Sequence, residues 1–279
     1  MSSPLRFVKM HGLGNDFVVF DARDQALFLS AKDCAAIANR KKGVGCDQLI
    51  VLEPSERADL FMRIFNADGS EAEACGNATR CVAQLLMQER GQQNCTIETL
   101  AGLLPATKQG ELITVNMGPA RQDWRDIPLS KEQDTLALDL EFESLSAPVA
   151  VNMGNPHCCW FVPSVESARE TGLYERMGAW VQSHALFPER SNTHLVEVVD
   201  RNTIKMLIWE RGVGPTEASG SSACAGAVAA IRKGYCASRV RVLMPGGEAQ
   251  ITWQADGTVL MQGPYAFVFE GRISLPLTA

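Results

Sequence analysis

The chain has 279 residues, with 26 Lys and Arg against 32 Asp and Glu and a net charge of −6. That length suits one large domain or two of about 140 residues, and the mildly acidic balance argues against nucleic acid, whose phosphates demand a basic face. Hydrophobic residues at 46% and charged residues at 21% make an ordinary globular mixture; no apolar run reaches the roughly 18 residues of a membrane span, and Met-Ser-Ser-Pro-Leu-Arg-Phe lacks a signal-peptide core, which excludes membrane, collagen-like, coiled-coil and secreted mini-protein classes.

Phe7–Met10 and Phe17–Phe20 read as the first strands. A helix is expected from Ser30, with Asp33 as its capping-box partner, to just before Gly43. Strands follow at Gln48–Leu52, Leu60–Phe65, Thr96–Leu100 and Leu112–Met117, with a helix over Ala78–Glu89 closed by Gly91. The second half repeats the mixture, with strands at Val149–Met153, Cys159–Val162, His194–Val199, Ile204–Trp209, Val240–Met244, Ala249–Trp253, Val259–Gln262 and Ala266–Glu270. Helices are expected at Glu166–Ser183 and Ala223–Lys233. Strands dominate and hairpin spacings recur, so the class is α+β with an antiparallel or mixed sheet, not a doubly wound parallel one.

The nine cysteines are expected as reduced thiols in the cytoplasm, mostly small core hydrophobes. No CxxC pair occurs, and His11, His157, His184 and His194 show neither HxxxH nor HExxH spacing, so no metal site is expected.

An internal repeat organises the chain. Glu73-Ala74-Cys75-Gly76-Asn77 matches Glu217-Ala218-Ser219-Gly220-Ser221 at an offset of 144. Gly12-Leu13-Gly14-Asn15 matches Asn152-Met153-Gly154-Asn155 at 140, and Asn116-Met117-Gly118-Pro119 matches Met261-Gln262-Gly263-Pro264 at 145. Ile64-Phe65-Asn66 matches Ile208-Trp209-Glu210 at 144. Four matches in one order at nearly one offset point to duplication. The charge-rich stretch Arg121–Leu145 reads as the connection between two similar lobes, with a ligand cleft expected between them.

Each repeat sets Cys75 or Ser219 just before a run of small residues that starts a helix. Free N–H groups and the dipole at a helix start bind anions and depress a cysteine pKa. Gly76 and Gly220 permit close backbone approach. Cys75 alone would also serve as a packing or capping residue. Asn15 and Asn155 suit turn chemistry equally well, and His157 equally suits a structural role. Glu210-Arg211, at a strand end, fits either an α-amino and α-carboxylate pair or a surface ion pair.

In order along the chain stand His11-Gly12-Leu13-Gly14-Asn15-Asp16-Phe17, Gly43-Val44-Gly45-Cys46-Asp47-Gln48-Leu49, Asn66-Ala67-Asp68-Gly69-Ser70-Glu71, Cys75-Gly76-Asn77, Gly154-Asn155-Pro156-His157, Glu210-Arg211-Gly212-Val213-Gly214 and Pro245-Gly246-Gly247. Together they resemble the diaminopimelate epimerase family of the wider proline-racemase group, over nearly the whole chain. The resemblance implies two pseudo-symmetric lobes, each a mainly antiparallel barrel-like sheet around a central helix. Residues 1–120 with a returning strand in 266–279 would form the first lobe, and 121–265 the second. It also implies a homodimer, and epimerisation of LL- and meso-diaminopimelate for lysine and cell-wall synthesis, with neither pyridoxal phosphate nor metal.

Carried over by motif, Cys75 is one acid/base, and His157 and Glu210 are helpers. Asn15, Gln48, Asn66, Asn155, Asn192, Glu210 and Arg211 would contact the substrate. The backbones of Gly76, Asn77, Gly220 and Ser221 would cradle its carboxylate. Asn66, Asn192 and Arg211 would grip the distal amino-acid end. The chain departs from the family at the second acid/base, where cysteine is expected and Ser219 stands, and at Ser222, where glycine is expected. Impaired epimerisation is one consequence. The alternatives are a racemase of another amino acid, a one-base lyase of the hydroxyproline-dehydratase kind, and a non-catalytic amino-acid-binding protein.

Overall fold

A computed structural model describes residues 4–275. The chain divides into two compact units, one comprising residues up to Val115 and from Gly263 onward, the other Asn116–Gln262. The residues at 1–3 and 276–279 that the sequence reading places in the first lobe lie outside the described residues.

In the first unit, β1 (Leu5–Gly12) and β2 (Asn15–Asp21) form an antiparallel hairpin. α1 (Ala31–Ala38) leads to β3 (Gln48–Glu53), which lies parallel to β2. β4 (Leu60–Asn66) runs antiparallel to β3, and the two-residue β5 (Glu71–Ala72) folds back on its end. α2 (Gly76–Arg90) then brings β6 (Asn94–Thr99) parallel to β4. β7 (Gly102–Gln109) and β8 (Leu112–Pro119) follow as antiparallel neighbours.

The second unit opens with a small ribbon, β9 (Glu141–Phe142) and β10 (Leu145–Ser146). It then repeats the same path. β11 (Val149–Asn152) and β12 (Pro156–Phe161) are the hairpin. α3 (Val165–Glu170) and α4 (Leu173–Gln182) lead to β13 (Asn192–Asp200), parallel to β12. β14 (Thr203–Glu210) is antiparallel to β13 and carries β15 (Gly214–Thr216) on its end. α5 (Gly220–Arg232) brings β16 (Arg239–Met244) parallel to β14, and β17 (Gly247–Trp253) and β18 (Thr258–Gly263) follow antiparallel. The last strand, β19 (Ala266–Ile273), pairs with β1 in the first unit.

A helix enclosed by a curled sheet must be apolar, or at least small, on nearly every side. In α5 every residue from Ser222 to Ala230 is buried, and that run is Ser-Ala-Cys-Ala-Gly-Ala-Val-Ala-Ala. It packs on β11, β12, β13, β14, β16 and β17. α2 packs on β1, β6 and β7 and buries Gly76 through Ala83. A second core in each unit lies under the other crossover: Phe7, Phe20, Ile37 and Leu49 under α1, and Trp160, Tyr174, Met177 and Val181 under α3 and α4.

Three expectations change. The first helix stops at Ala38, short of Gly43, because Asn39 turns extended and its side chain accepts from the amides of Lys41 and Lys42. The single helix expected over Glu166–Ser183 is two, broken where Gly172 adopts φ 68°, a left-handed conformation that glycine enters without steric cost. β7 was not anticipated, since Pro105 in its middle removes a ladder donor.

Gly178 on α4 has a structural duty. A Cβ there would stand 2.3 Å from the Trp209 indole, which lies against the core beside Tyr174. Gly178→Ala is therefore expected to destabilise the protein by roughly 1–2 kcal/mol, overpacking outweighing a helix-propensity gain of up to about 1 kcal/mol. A lower urea midpoint at unchanged slope checks this.

Candidate active site

Cys75 and Ser219 occupy one structural position in the two units. Each is the N-cap of the enclosed helix, with φ −147° and ψ 108° at Cys75 and φ −145° and ψ 130° at Ser219. Serine is among the best capping residues, yet neither side chain caps its helix. The helix-start N–H groups at Gly76 and Asn77, and at Gly220 and Ser221, have no intrahelical acceptor available to them. The first intrahelical bonds come later, from Thr79 N to Cys75 O at 2.9 Å and from Ala223 N to Ser219 O at 3.0 Å.

All nine cysteines are thiols, and Cys75 alone is not buried. Burial pushes the Cys46, Cys81, Cys95 and Cys159 thiols up to about 12, and raises those of Cys34, Cys158 and Cys236. Cys224 is fully buried inside α5 and is no substitute for Ser219.

Around Cys75 the first unit gathers Asn15 and Asn77. Cys75 Sγ donates to Asn15 Oδ1 at 3.7 Å, and Asn77 Nδ2 donates to the same oxygen at 3.3 Å. The other end of Asn15 donates to Asp47 Oδ2 at 3.1 Å, which also accepts from the Asp16 amide. Arg40 bridges Asp16 and Asp47, at 2.7 Å each, and Lys9 pairs with Asp16. Burial pushes the Asp16 carboxyl up, but the hydrogen bonds from Arg40 and Lys9 outweigh it and hold the group well below the usual carboxylate range. This ionic base fixes which end of Asn15 meets the sulfur. Asn77 Oδ1 accepts from the buried Arg80 at 2.8 Å.

Gln48 and Asn66 are register partners on β3 and β4. Gln48 Nε2 donates to Asn66 Oδ1 at 3.0 Å, and Asn66 Nδ2 donates to Ser70 Oγ. Gln48 Oε1 is buried without a protein partner, an acceptor suited to a ligand's ammonium.

The second unit sets residues at the matching positions. His157 pairs with Asn192 as Phe17 pairs with Gln48. Thr193 opposite Trp209 puts Asn192 and Glu210 at the strand ends that Gln48 and Asn66 hold in the first unit. His157 stands 2.7 Å from Asn155 Oδ1 through Nε2, and 2.9 Å from His194 Nε2 through Nδ1. Burial, then His194 and Arg211, push His157 well below the usual histidine range, and burial pushes His194 down to about 3. Both rings are therefore neutral. Asn192 is 3% exposed and already committed, donating to Pro156 O at 3.0 Å and accepting from the Arg211 amide at 3.0 Å. It thus braces the Glu210–Gly214 turn, while the Arg211 guanidinium donates to Glu189 O. Ser222 Oγ donates to Ser219 Oγ at 3.0 Å, so the two residues that depart from the family pattern touch each other.

Asp47, Arg40, Arg80 and His194 escaped the sequence reading. Asp47 adjoins Gln48 within the Gly43–Leu49 stretch and Arg80 lies one helical turn after Asn77, so local spacing points to both; Arg40 and His194 act through partners 7 and 37 positions away. Among the described residues no group of three His, Cys, Asp or Glu could hold a metal, and no helix is long and apolar enough to cross a membrane.

The sequence model of the diaminopimelate epimerase family matches residues 7–122 and 149–268. A diaminopimelate epimerase of Rhizorhabdus wittichii is 49% identical over 97% of this chain and 96% of its own length. One of Acidiphilium cryptum is 47% identical over the full length of both. Among solved structures, a hydroxyproline epimerase of Agrobacterium vitis superposes with a TM-score of 0.69 at 12% identity, covering 98% of this chain and 93% of that one. A phenazine biosynthesis protein of the PhzF family from Bacillus anthracis superposes with a TM-score of 0.68 at 19% identity, covering 98% and 100%. These two share the fold. With nearly half of its residues identical to end-to-end relatives and the family model spanning both repeats, the chain belongs to the diaminopimelate epimerase family.

Proposed function

We propose that this chain is an isomerase that interconverts LL- and meso-diaminopimelate by moving the α-proton, with Cys75 as the competent acid/base and Ser219 as a weak second partner. The observation that carries the reading is the pair of equivalent, non-capping N-cap residues, one holding the only thiol that is not buried. A thiolate at a helix start is stabilised by the dipole. The neighbouring N–H groups of Gly76, Asn77, Gly220 and Ser221 suit the α-carboxylate, whose neutralisation also acidifies Cα–H. Gln48 Oε1 and the Glu210 carboxylate suit the ammonium, and Arg211 a distal carboxylate. Asn66 and Asn192 are, in this reading, further contacts of the distal amino-acid end.

The test is NMR of Cα–H exchange in D₂O with LL- and meso-diaminopimelate beside other amino acids. Exchange confined to diaminopimelate supports the reading. Exchange of another amino acid alone favours a different racemase, and none at all favours a binding protein. Nine thiols without a disulfide suit a reducing compartment, the cytoplasm.

A homodimer belongs to the same reading. Phe267, Val268 and Phe269, consecutive on β19, are 57%, 49% and 44% exposed, so both faces of the strand present apolar side chains. Phe267→Asp is expected to shift a dimer toward monomer in light scattering without loss of circular dichroism; a parent protein that is monomeric at micromolar concentration would overturn the assignment.

A further inference from the structure

His194, on β13, has no role in the sequence reading, yet both its ring and that of His157 are fully buried and the two nitrogens meet at 2.9 Å. We propose that His194 is a positioning residue. Its Nε2–H, donated to Nδ1 of His157, locks His157 in the Nε2–H tautomer and so presents the amide nitrogen of Asn155 to an anionic group of the substrate.

The direction follows from proton counting. Each neutral imidazole carries one N–H and one lone pair. Asn155 Oδ1, 2.7 Å from His157 Nε2, only accepts, so that nitrogen must hold the proton. Nδ1 of His157 is then a bare acceptor, and His194 must donate to it from Nε2. The remaining atom, His194 Nδ1, is left without a proton. That nitrogen is buried. In the reverse arrangement the His157 Nε2 lone pair would face the Asn155 oxygen at 2.7 Å. Two facing acceptors are unfavourable, so the forward chain wins.

With Oδ1 committed to His157, the amide NH₂ is the end of the part-exposed Asn155 left for a ligand. That end donates, which suits a carboxylate. The relay runs from His194 through His157 to Asn155 and contains no base: His157 here orients and does not abstract. This role rests on the epimerase reading only for the identity of the ligand.

The test uses the full chain labelled with ¹⁵N in histidine, without ligand. Imidazole spectra of the parent are expected to show His157 protonated on Nε2 alone and His194 likewise. His194→Leu is expected to release His157 into a tautomer mixture and to raise KM for diaminopimelate about tenfold, with kcat changed much less. His194→Gln, whose amide N–H can reach the same acceptor, is expected to restore both. Protonation of His157 at Nδ1 in the parent overturns the relay whether or not the chain turns diaminopimelate over. The expected tautomer with no KM change in His194→Leu overturns its link to Asn155. Should His194→Leu fail to fold, the parent spectra and His194→Gln decide.

Discussion

Cys75→Ala is expected to abolish α-hydrogen exchange with every substrate stereoisomer. A positioned acid/base contributes about 10²–10⁴-fold, and no other thiol can take over: the remaining eight are buried, and burial raises seven of them. The fold should survive. Cys75 contributes no cap to α2 and donates a long hydrogen bond to Asn15, and the stability change should stay within about 1 kcal/mol. Iodoacetamide should label Cys75 first in the parent, and a carboxylate ligand should protect it. Retention of full exchange by Cys75→Ala, or even labelling across all nine cysteines, would remove Cys75 from the reaction.

Ser219→Cys is expected to raise net epimerisation by about two to four orders of magnitude, the span that an acid/base of matched pKa supplies. An alcohol ionises several pH units above a thiol, and each unit of mismatch is worth about 1.4 kcal/mol. The parent should therefore wash out the α-proton of one stereoisomer readily, through Cys75, while the opposite centre exchanges slowly. Ser222 modulates the gain. Its hydroxyl lies 3.0 Å from Ser219 Oγ, a separation comfortable for two oxygens and tight for oxygen and sulfur. Ser219→Cys alone must displace Ser222, whereas Ser219→Cys with Ser222→Gly makes room for the sulfur and should show the full gain. Paired exchange and epimerisation rates on the three proteins are the measurement. Equal exchange from both stereoisomers of the parent would contradict the asymmetry, and no gain in either variant on any amino acid would point to repurposed chemistry.

Much of this was legible in the residues, for identifiable reasons. The capping box at Ser30 and Asp33, and Gly91 in the left-handed region, mark helix ends by local chemistry and appear as expected. The repeat was visible where backbone demands recur, at the glycine turns and at the N-caps Cys75 and Ser219. It was invisible where side chains diverged. Phe17 and His157 share no chemistry, yet the register sets the two at corresponding strand positions. Strand pairing keeps position while the side chain is free to change, so only the ladder exposes such equivalences. The Asp16, Asp47, Arg40 and Lys9 cluster was hidden for a different reason: its members are joined across the sheet by charge, which leaves no periodic trace in a sequence.

The return of β19 to β1 has a bearing on how the chain folds. Arg6 and Glu270, on adjacent strands, are 264 positions apart. During synthesis the second unit has all of its own strands before β19 exists, so it can fold while β1 still lacks that neighbour. Long-range pairing of this kind is slow, and an unfilled strand edge invites association with other chains. The first-made unit is thus the last to be completed, and the interval before β19 docks is when a nascent chain of this protein is most exposed to aggregation.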